Sequence, residues 1–324
     1  MKSIIKAILG LFVLLIVGGV VANYWFQRPI EVASVEILVS EHQIEISKTT
    51  AALKMSIAVT ASVMSPEAVL FEGGSYTKSR KIGHAAILIC HPRGLLMFDT
   101  GLGKNIDAQF EDMPSLHKPL FPYEVIEPVS TLVDTEAFCP GRNLEVVLSH
   151  LHWDHASGIE DLENDTPVWV PETELANGRH FENTSGYLIS QFDSQDINWQ
   201  TANFSSESHL SYERSLDFFG DQSVVLVPMA GHTVGSVGMF VNLGEKGVFF
   251  FTGDTTWSVE GFQRPAHKFS LMRSVVDANV SELEQEILRV HELMKQHQNL
   301  TIIPAHDHDA YPVNAIYPEF METN

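Results

Sequence analysis

Between residues 149 and 155 the chain reads Ser-His-Leu-His-Trp-Asp-His, which puts three imidazoles and a carboxylate directly behind the apolar run Leu144–Leu148. A run of that length bounded by polar residues reads as a short buried strand, so the cluster falls where a strand gives way to a loop. Alternate residues of an extended chain face the same way, and His150 and His152 can therefore hold one ion. Asp154 and His155, beyond the turn, can serve a second one. A lone histidine is more often structural, but imidazoles and a carboxylate gathered this closely suit a borderline cation such as zinc.

The rest of the chain is organised around similar strand ends. Ala85–Cys90 and Leu95–Phe98 read as two strands joined by the turn His91-Pro92-Arg93-Gly94, and the second runs into Asp99-Thr100-Gly101. Further apolar strands are predicted at Val224–Val227, Met239–Val241, Val248–Phe251 and Thr301–Pro304, each ending near a candidate ligand. Ser281 and Glu284 have capping-box spacing, and Leu283, Ile287, Leu288, Val290 and Met294 form one face of the helix expected after them. Residues 31–82 are assigned only loosely, as entry strands. Strands alternating with few helices predict a single α/β domain over residues 28–324. The polar, aromatic-studded stretch 176–220 is read as an insertion, its rings either packing it onto the domain or lining a substrate pocket.

The pattern H-x-H-x-D-H at His150, His152, Asp154 and His155 resembles the signature of the metallo-β-lactamase superfamily, and other marks of that family follow in order. Asp99, in Phe98-Asp99-Thr100-Gly101, resembles the aspartate that braces the metal site without binding it. His232, in Gly231-His232-Thr233, resembles a histidine ligand on a glycine-shaped loop. Asp254, in Thr252-Gly253-Asp254, resembles the carboxylate that bridges two metals, and His306, in Pro304-Ala305-His306, resembles the last ligand, with His308 as a neighbouring alternative. The resemblance implies a four-layer αββα sandwich holding two divalent cations, zinc first among the choices. One would sit on His150, His152 and His232, the other on Asp154, His155 and His306, with Asp254 between. It also implies a hydroxide bridging the two ions as nucleophile, with Asp154 or Asp254 as the catalytic proton carrier.

Departures within the family narrow the expected reaction to hydrolysis of a small ester, lactone or amide. Asp254 stands where many true β-lactamases carry cysteine or lack a bridging carboxylate. His152 stands where the redox branch tends to place glutamate. The chain after His306 is too short for the helical domain of the glutathione thioesterases. The motifs are similar to those of lactonases, except that Trp257 occupies the place of a tyrosine three residues beyond the bridging aspartate. Tyr187 is a candidate replacement for that hydroxyl, against the alternative of a packed tyrosine. A single-iron persulfide dioxygenase on the same histidines is the competing reading.

A formal charge of −21, from 20 basic and 41 acidic residues, argues against nucleic acid as a partner and leaves a small molecule. Lys2 and Lys6 precede an apolar run, Ala7–Ala22, and Tyr24 and Trp25 follow it. Residues 1–27 are therefore expected to be a membrane anchor or a signal peptide, with the catalytic domain held outside the cytoplasm or exported in soluble form. Cys90 and Cys139 are the only cysteines; a bridge is allowed, and two buried thiols are the commoner state of such a pair.

Overall fold

A computed structural model describes residues 51–323, together with Gly18 and Ile30. The anchor or signal segment expected at residues 1–27 lies outside the described residues but for Gly18; among the described residues no helix is long and apolar enough to cross a membrane.

Two sheets face each other. The first runs, in spatial order, β13 (Met321–Glu322), β1 (Lys54–Pro66), β2 (Ser79–His91), β3 (Gly94–Phe98), β5 (Leu144–Val147), β6 (Pro167–Val170) and β7 (Asn198–Thr201), with β4 (Glu124–Val125) beside β1. The second runs β12 (Leu300–Ile303), β11 (Val248–Phe251), β10 (Val237–Asn242), β9 (Val224–Pro228) and β8 (Leu216–Asp217). The central strands are continuous apolar runs because both of their faces are covered. Ile87 and Ile89 point inward with Leu226, Met239 and Phe251, forming the core between the sheets. Ala86 and Leu88, one residue out of phase, pack outward with Phe138 and Leu151. On the far side Val225, Val227, Phe240 and Phe250 meet Leu283, Ile287, Val290 and Leu293 of the helix Val280–Gln296. The period-2 alternation of the strands and the helical stripe together build helix, sheet, sheet and helix layers.

Three local features depart from the sequence reading. β1 extends over thirteen residues and pairs with β2 along nearly its whole length, broken by a register shift between Val59 and Ala61. Its Ser and Thr residues hide it from an apolar-run criterion, yet Ser56 and Thr60 are buried and hydrogen-bonded. The long helix is capped by Asn279, whose side chain accepts from the backbone N–H groups of Ser281 and Glu282; Ser281 lies inside the helix rather than at its cap. Cys90 and Cys139 form a disulfide rather than two thiols.

The stretch 176–220 contributes an outer strand to each sheet, β7 and β8. Its aromatics divide: Tyr187, Phe192 and Tyr212 are buried, whereas Phe181 is exposed.

Candidate metal centre

The parallel pairs β3–β5 and β11–β12 end on the same side of the molecule, and the ligand-type residues stand just past those ends. Asp99 follows β3, His150 follows β5, His232 lies between β9 and β10, Asp254 follows β11 and His306 follows β12. Backbone bonds tie these loops together: Val237 N–H donates to Ser149 O at 2.8 Å, and Ala305 N–H to Gly253 O at 3.0 Å. The His232 loop is fastened to the start of the long helix by Ala278 N–H on His232 O, at 2.8 Å, and Asn279 N–H on Gly231 O, at 2.9 Å. Gly231 has φ of +137°, and a Cβ there would lie 2.4 Å from Leu283 N, so only glycine fits this crossing.

The structure brings all seven predicted residues together. His150, His152 and His232 converge in one group, with His232 Nε2 3.1 Å from His150 Nε2. His306 Nε2 lies 3.2 Å from Asp154 Oδ2 and 3.1 Å from Asp254 Oδ2, while His155 Nε2 is 3.2 Å from Asp254 Oδ1. Asp254 thus reaches both His155 and His306. His308 lies outside these groups and packs against Tyr311.

Four of the five rings are oriented through their other nitrogen. His150 Nδ1 donates to Ser149 Oγ at 2.9 Å, His155 Nδ1 to Asp99 Oδ2 at 2.8 Å, His232 Nδ1 to Asp277 Oδ1 at 2.6 Å and His306 Nδ1 to Gly83 O at 2.9 Å. Asp99 also accepts from the backbone N–H of Ser149 at 2.6 Å, which suits a brace that holds ligands without joining them. With the Nδ1 protons committed, the Nε2 lone pairs of His150 and His232 face each other, while Nε2 of His306 faces two carboxylate oxygens. Two lone pairs at such a distance repel unless a cation lies between them. His152 Nε2, His155 Nε2 and Asp254 Oδ1 are buried with no hydrogen-bond partner. The donor set fits cation binding on all three counts.

The electrostatics point the same way. Burial by itself would raise the Asp154 and Asp254 carboxyls, but the surrounding histidines outweigh it and hold both well below the usual carboxylate range. Burial would lower His306, yet Asp254 and Asp154 push it up to about 10. The site draws positive charge toward itself.

Four residues that the sequence reading missed support the centre. Lys268 is fully buried; its Nζ lies 2.6 Å from Asp277 Oδ1, donates to Asp254 O at 2.7 Å, and so joins the His232 side to the Asp254 side. Glu174, also fully buried, accepts from Leu151 N–H, Gly235 N–H and the Tyr187 hydroxyl, holding two ligand loops at once. Asp277 and His84 complete the set, His84 Nδ1 lying 3.1 Å from Asp154 Oδ2. None carries a local motif, since each works through residues remote in sequence. Tyr187 spends its hydroxyl on Glu174 and packs edge-on against His152. Trp257 donates from Nε1 to Asp254 Oδ2 at 2.8 Å while its ring faces His306.

A cavity of about 220 Å³ opens beside Asp154, His306 and His84, walled by Leu120, Phe121, Trp153, Trp257 and Met272 among others. A larger one, about 680 Å³, is lined by Met97, Arg142 and Glu145 and shares no residue with the ligand cluster.

Comparison with known proteins places this arrangement. An N-acyl homoserine lactonase, AttM, from Rhizobium radiobacter is 26% identical over 184 residues, covering 56% of this chain and 65% of that protein. The AttM of Azorhizobium caulinodans is 27% identical over 168 residues, 52% of this chain and 59% of its own. The chain therefore matches less than two thirds of the length of these relatives. An N-acyl homoserine lactone hydrolase with N-hexanoyl-L-homoserine at its metal centre superposes with a TM-score of 0.64 at 18% identity, covering 83% of this chain and 98% of that one. At that identity the likeness speaks for the fold. The model of the metallo-β-lactamase superfamily matches residues 80–290, from the start of β2 into the long helix, and the chain belongs to that superfamily.

Proposed function

We propose that the chain is a metal-dependent hydrolase of a small lactone or ester. The observation that carries this reading is the facing of imidazole lone pairs and carboxylates across a buried centre that opens onto an apolar cavity. His150, His152 and His232 would hold one cation, and Asp154, His155 and His306 the other, with Asp254 shared. When bound, the pair would acidify a shared water and polarise the acyl oxygen, zinc being the natural occupant of this imidazole-rich set.

The chain's own residues do the rest. The cavity seats the acyl portion against Leu120, Phe121 and Trp257, which excludes competing water from the scissile bond. Asp154 lines that cavity and is kept ionised by His155, His306 and His84. As the water oxygen attacks the acyl carbon, Asp154 accepts its proton and returns it to the departing ring or ester oxygen as the C–O bond breaks, leaving a hydroxy acid, or an acid and an alcohol. Asp254 is a weaker candidate for this transfer because it does not line the cavity. The lactonase relatives support a cyclic ester as the favoured substrate. The Cys90–Cys139 bridge supports placing the domain outside the cytoplasm.

Elemental analysis combined with a panel of lactones, esters, phosphodiesters and β-lactams, with and without chelator, tests the reading. About two zinc-like ions per chain and chelator-sensitive lactone cleavage are expected. A single iron with oxygen consumption on a persulfide, and no hydrolysis, would replace it with the dioxygenase reading. Asp154→Ala should lose turnover while keeping the native circular-dichroism spectrum; retained turnover would remove Asp154 from its role.

A further inference from the structure

Hydrogen bonds orient the rings of His150, His155, His232 and His306, whereas the His152 ring has no such bond among the described residues, its Nε2 being buried without a partner. Packing holds it instead, and the packing comes from the stretch 176–220 rather than from the strand ends. A Cβ added at Gly186 would lie 2.9 Å from Cδ2, 3.0 Å from Cγ and 3.0 Å from Nε2 of His152. Near-equal distances to three ring atoms place that position over the face of the imidazole, so the Gly186 backbone lies against the ring face. Tyr187 closes a second side, its ring edge-on to His152 at 4.8 Å. Both residues are tied to the ligand segment. Trp153 N–H donates to Gly186 O at 2.9 Å, and the Tyr187 hydroxyl donates at 3.1 Å to Glu174, which also accepts from Leu151 N–H at 3.0 Å. The loop is bent to make this approach: Glu182, Ser185 and Gly186 have φ of 52°, 54° and 90°. Two of these are not glycine, and such left-handed conformations persist where the surroundings enforce them.

We propose that the loop 182–187 is the positioning element for His152, with Gly186, lying on the imidazole face, as the positioning residue that turns the ring toward His150 and His232 in place of a hydrogen bond. The insertion then sets the cation affinity of the His150, His152 and His232 group. This rests on reading those residues as cation ligands, and not on the reaction proposed above. Any side chain at position 186 must displace either the ring or the loop, and both displacements loosen the group. The coupling is reciprocal: the factor by which the ordered loop strengthens cation binding is the factor by which the cation steadies the loop.

The probe is cobalt(II), titrated into the metal-stripped full chain against a chelating dye while its visible absorption is followed. The wild type should take up about two equivalents. Gly186→Ala should weaken one of them about 10–100-fold and shift its visible bands, and should change the other far less. Gly73→Ala is the matched control, because Gly73 has φ of 88° and nothing within 4 Å of its would-be Cβ. It carries a similar backbone cost with no ring to displace, so it should lose stability in urea yet keep both cobalt affinities. Hydrogen exchange on the wild type depends on no variant folding. The N–H groups of Tyr187 and Ile189, which donate to Thr184 O and Asn183 Oδ1, should exchange about 10–100-fold more slowly with cobalt than without it. The proposal is overturned by wild-type affinities in Gly186→Ala, by equal weakening of both equivalents, or by the same weakening in Gly73→Ala. Loop exchange that cobalt leaves unchanged also overturns it. A wild type that takes up no cobalt removes the metal reading, and this proposal with it. Lactone turnover is measured in parallel: no cleavage, with the cobalt results as expected, removes the hydrolase reading and leaves the loop's role standing.

Discussion

The pair Asp277 and Lys268 shows how much of the centre depends on residues that are not themselves candidate metal ligands. Asp277 accepts from both His232 Nδ1 and Lys268 Nζ, and all three side chains are buried. Removing one member leaves the other charge unpaired, which typically costs about 3–5 kcal/mol, and loss of the carboxylate frees the His232 ring. Asp277→Asn should therefore weaken metal binding about 10–100-fold and lower stability. Adding Lys268→Met should restore much of the stability without restoring the metal affinity. Competition with a chelating dye and urea unfolding separate the two effects. Glu72 supplies a pH dependence away from the ligands. Burial raises its carboxyl from 4.5 to about 7, with Arg273 at 3.7 Å opposing the shift. A group that titrates higher in the folded than in the unfolded chain favours folding at low pH, and that contribution is lost as pH rises through the folded value. Glu72→Gln should gain on the wild type by ~2 kcal/mol between about pH 5 and about pH 8, after allowance for solvent screening. Denaturation midpoints that stay parallel across this range would contradict it.

At the scale of elements, the long helix does two jobs. Its apolar stripe covers the second sheet, and its first residues hold the His232 loop. The Asn279 cap sits where these functions meet, so Asn279→Ala should cost about 1 kcal/mol in urea unfolding, whereas Ser281→Ala should cost only a few tenths. The sequence placed this helix correctly by its periodicity, but Ser281 and Glu284 offered a competing cap. Local spacing could not choose between them, because the choice depends on where Gly231 and His232 cross the helix start. Strands β9 to β12 were legible for a similar reason: being covered on both faces, they read as plain apolar runs. β1 was not, since its buried Ser and Thr residues are satisfied by bonds to Ala315, Glu319 and His84, far away in sequence.

Across the whole molecule, the Cys90–Cys139 bridge ties β2 to a segment 49 residues later. Chain-entropy reasoning for a loop of that size gives about 4 kcal/mol, so a Cys90→Ala/Cys139→Ala variant should unfold about 2–4 kcal/mol more easily, with its metal content unchanged. An unchanged unfolding free energy would show that the bridge adds nothing to this fold. The sequence by itself determined the apolar strands, the long helix and the cluster His150, His152, Asp154 and His155, because alternation and close spacing are local properties; the αββα layering and the places of His232, Asp254 and His306 came through the family resemblance. It left open whether Cys90 and Cys139 pair, which of His306 and His308 joins the centre, and what Trp257 and Tyr187 do. It gave no sign of the roles of His84, Glu174, Lys268 and Asp277. Only the tertiary structure decided these, because hydrogen-bond partners, burial and the facing of lone pairs are set by distances between segments that the packing of the two sheets brings together.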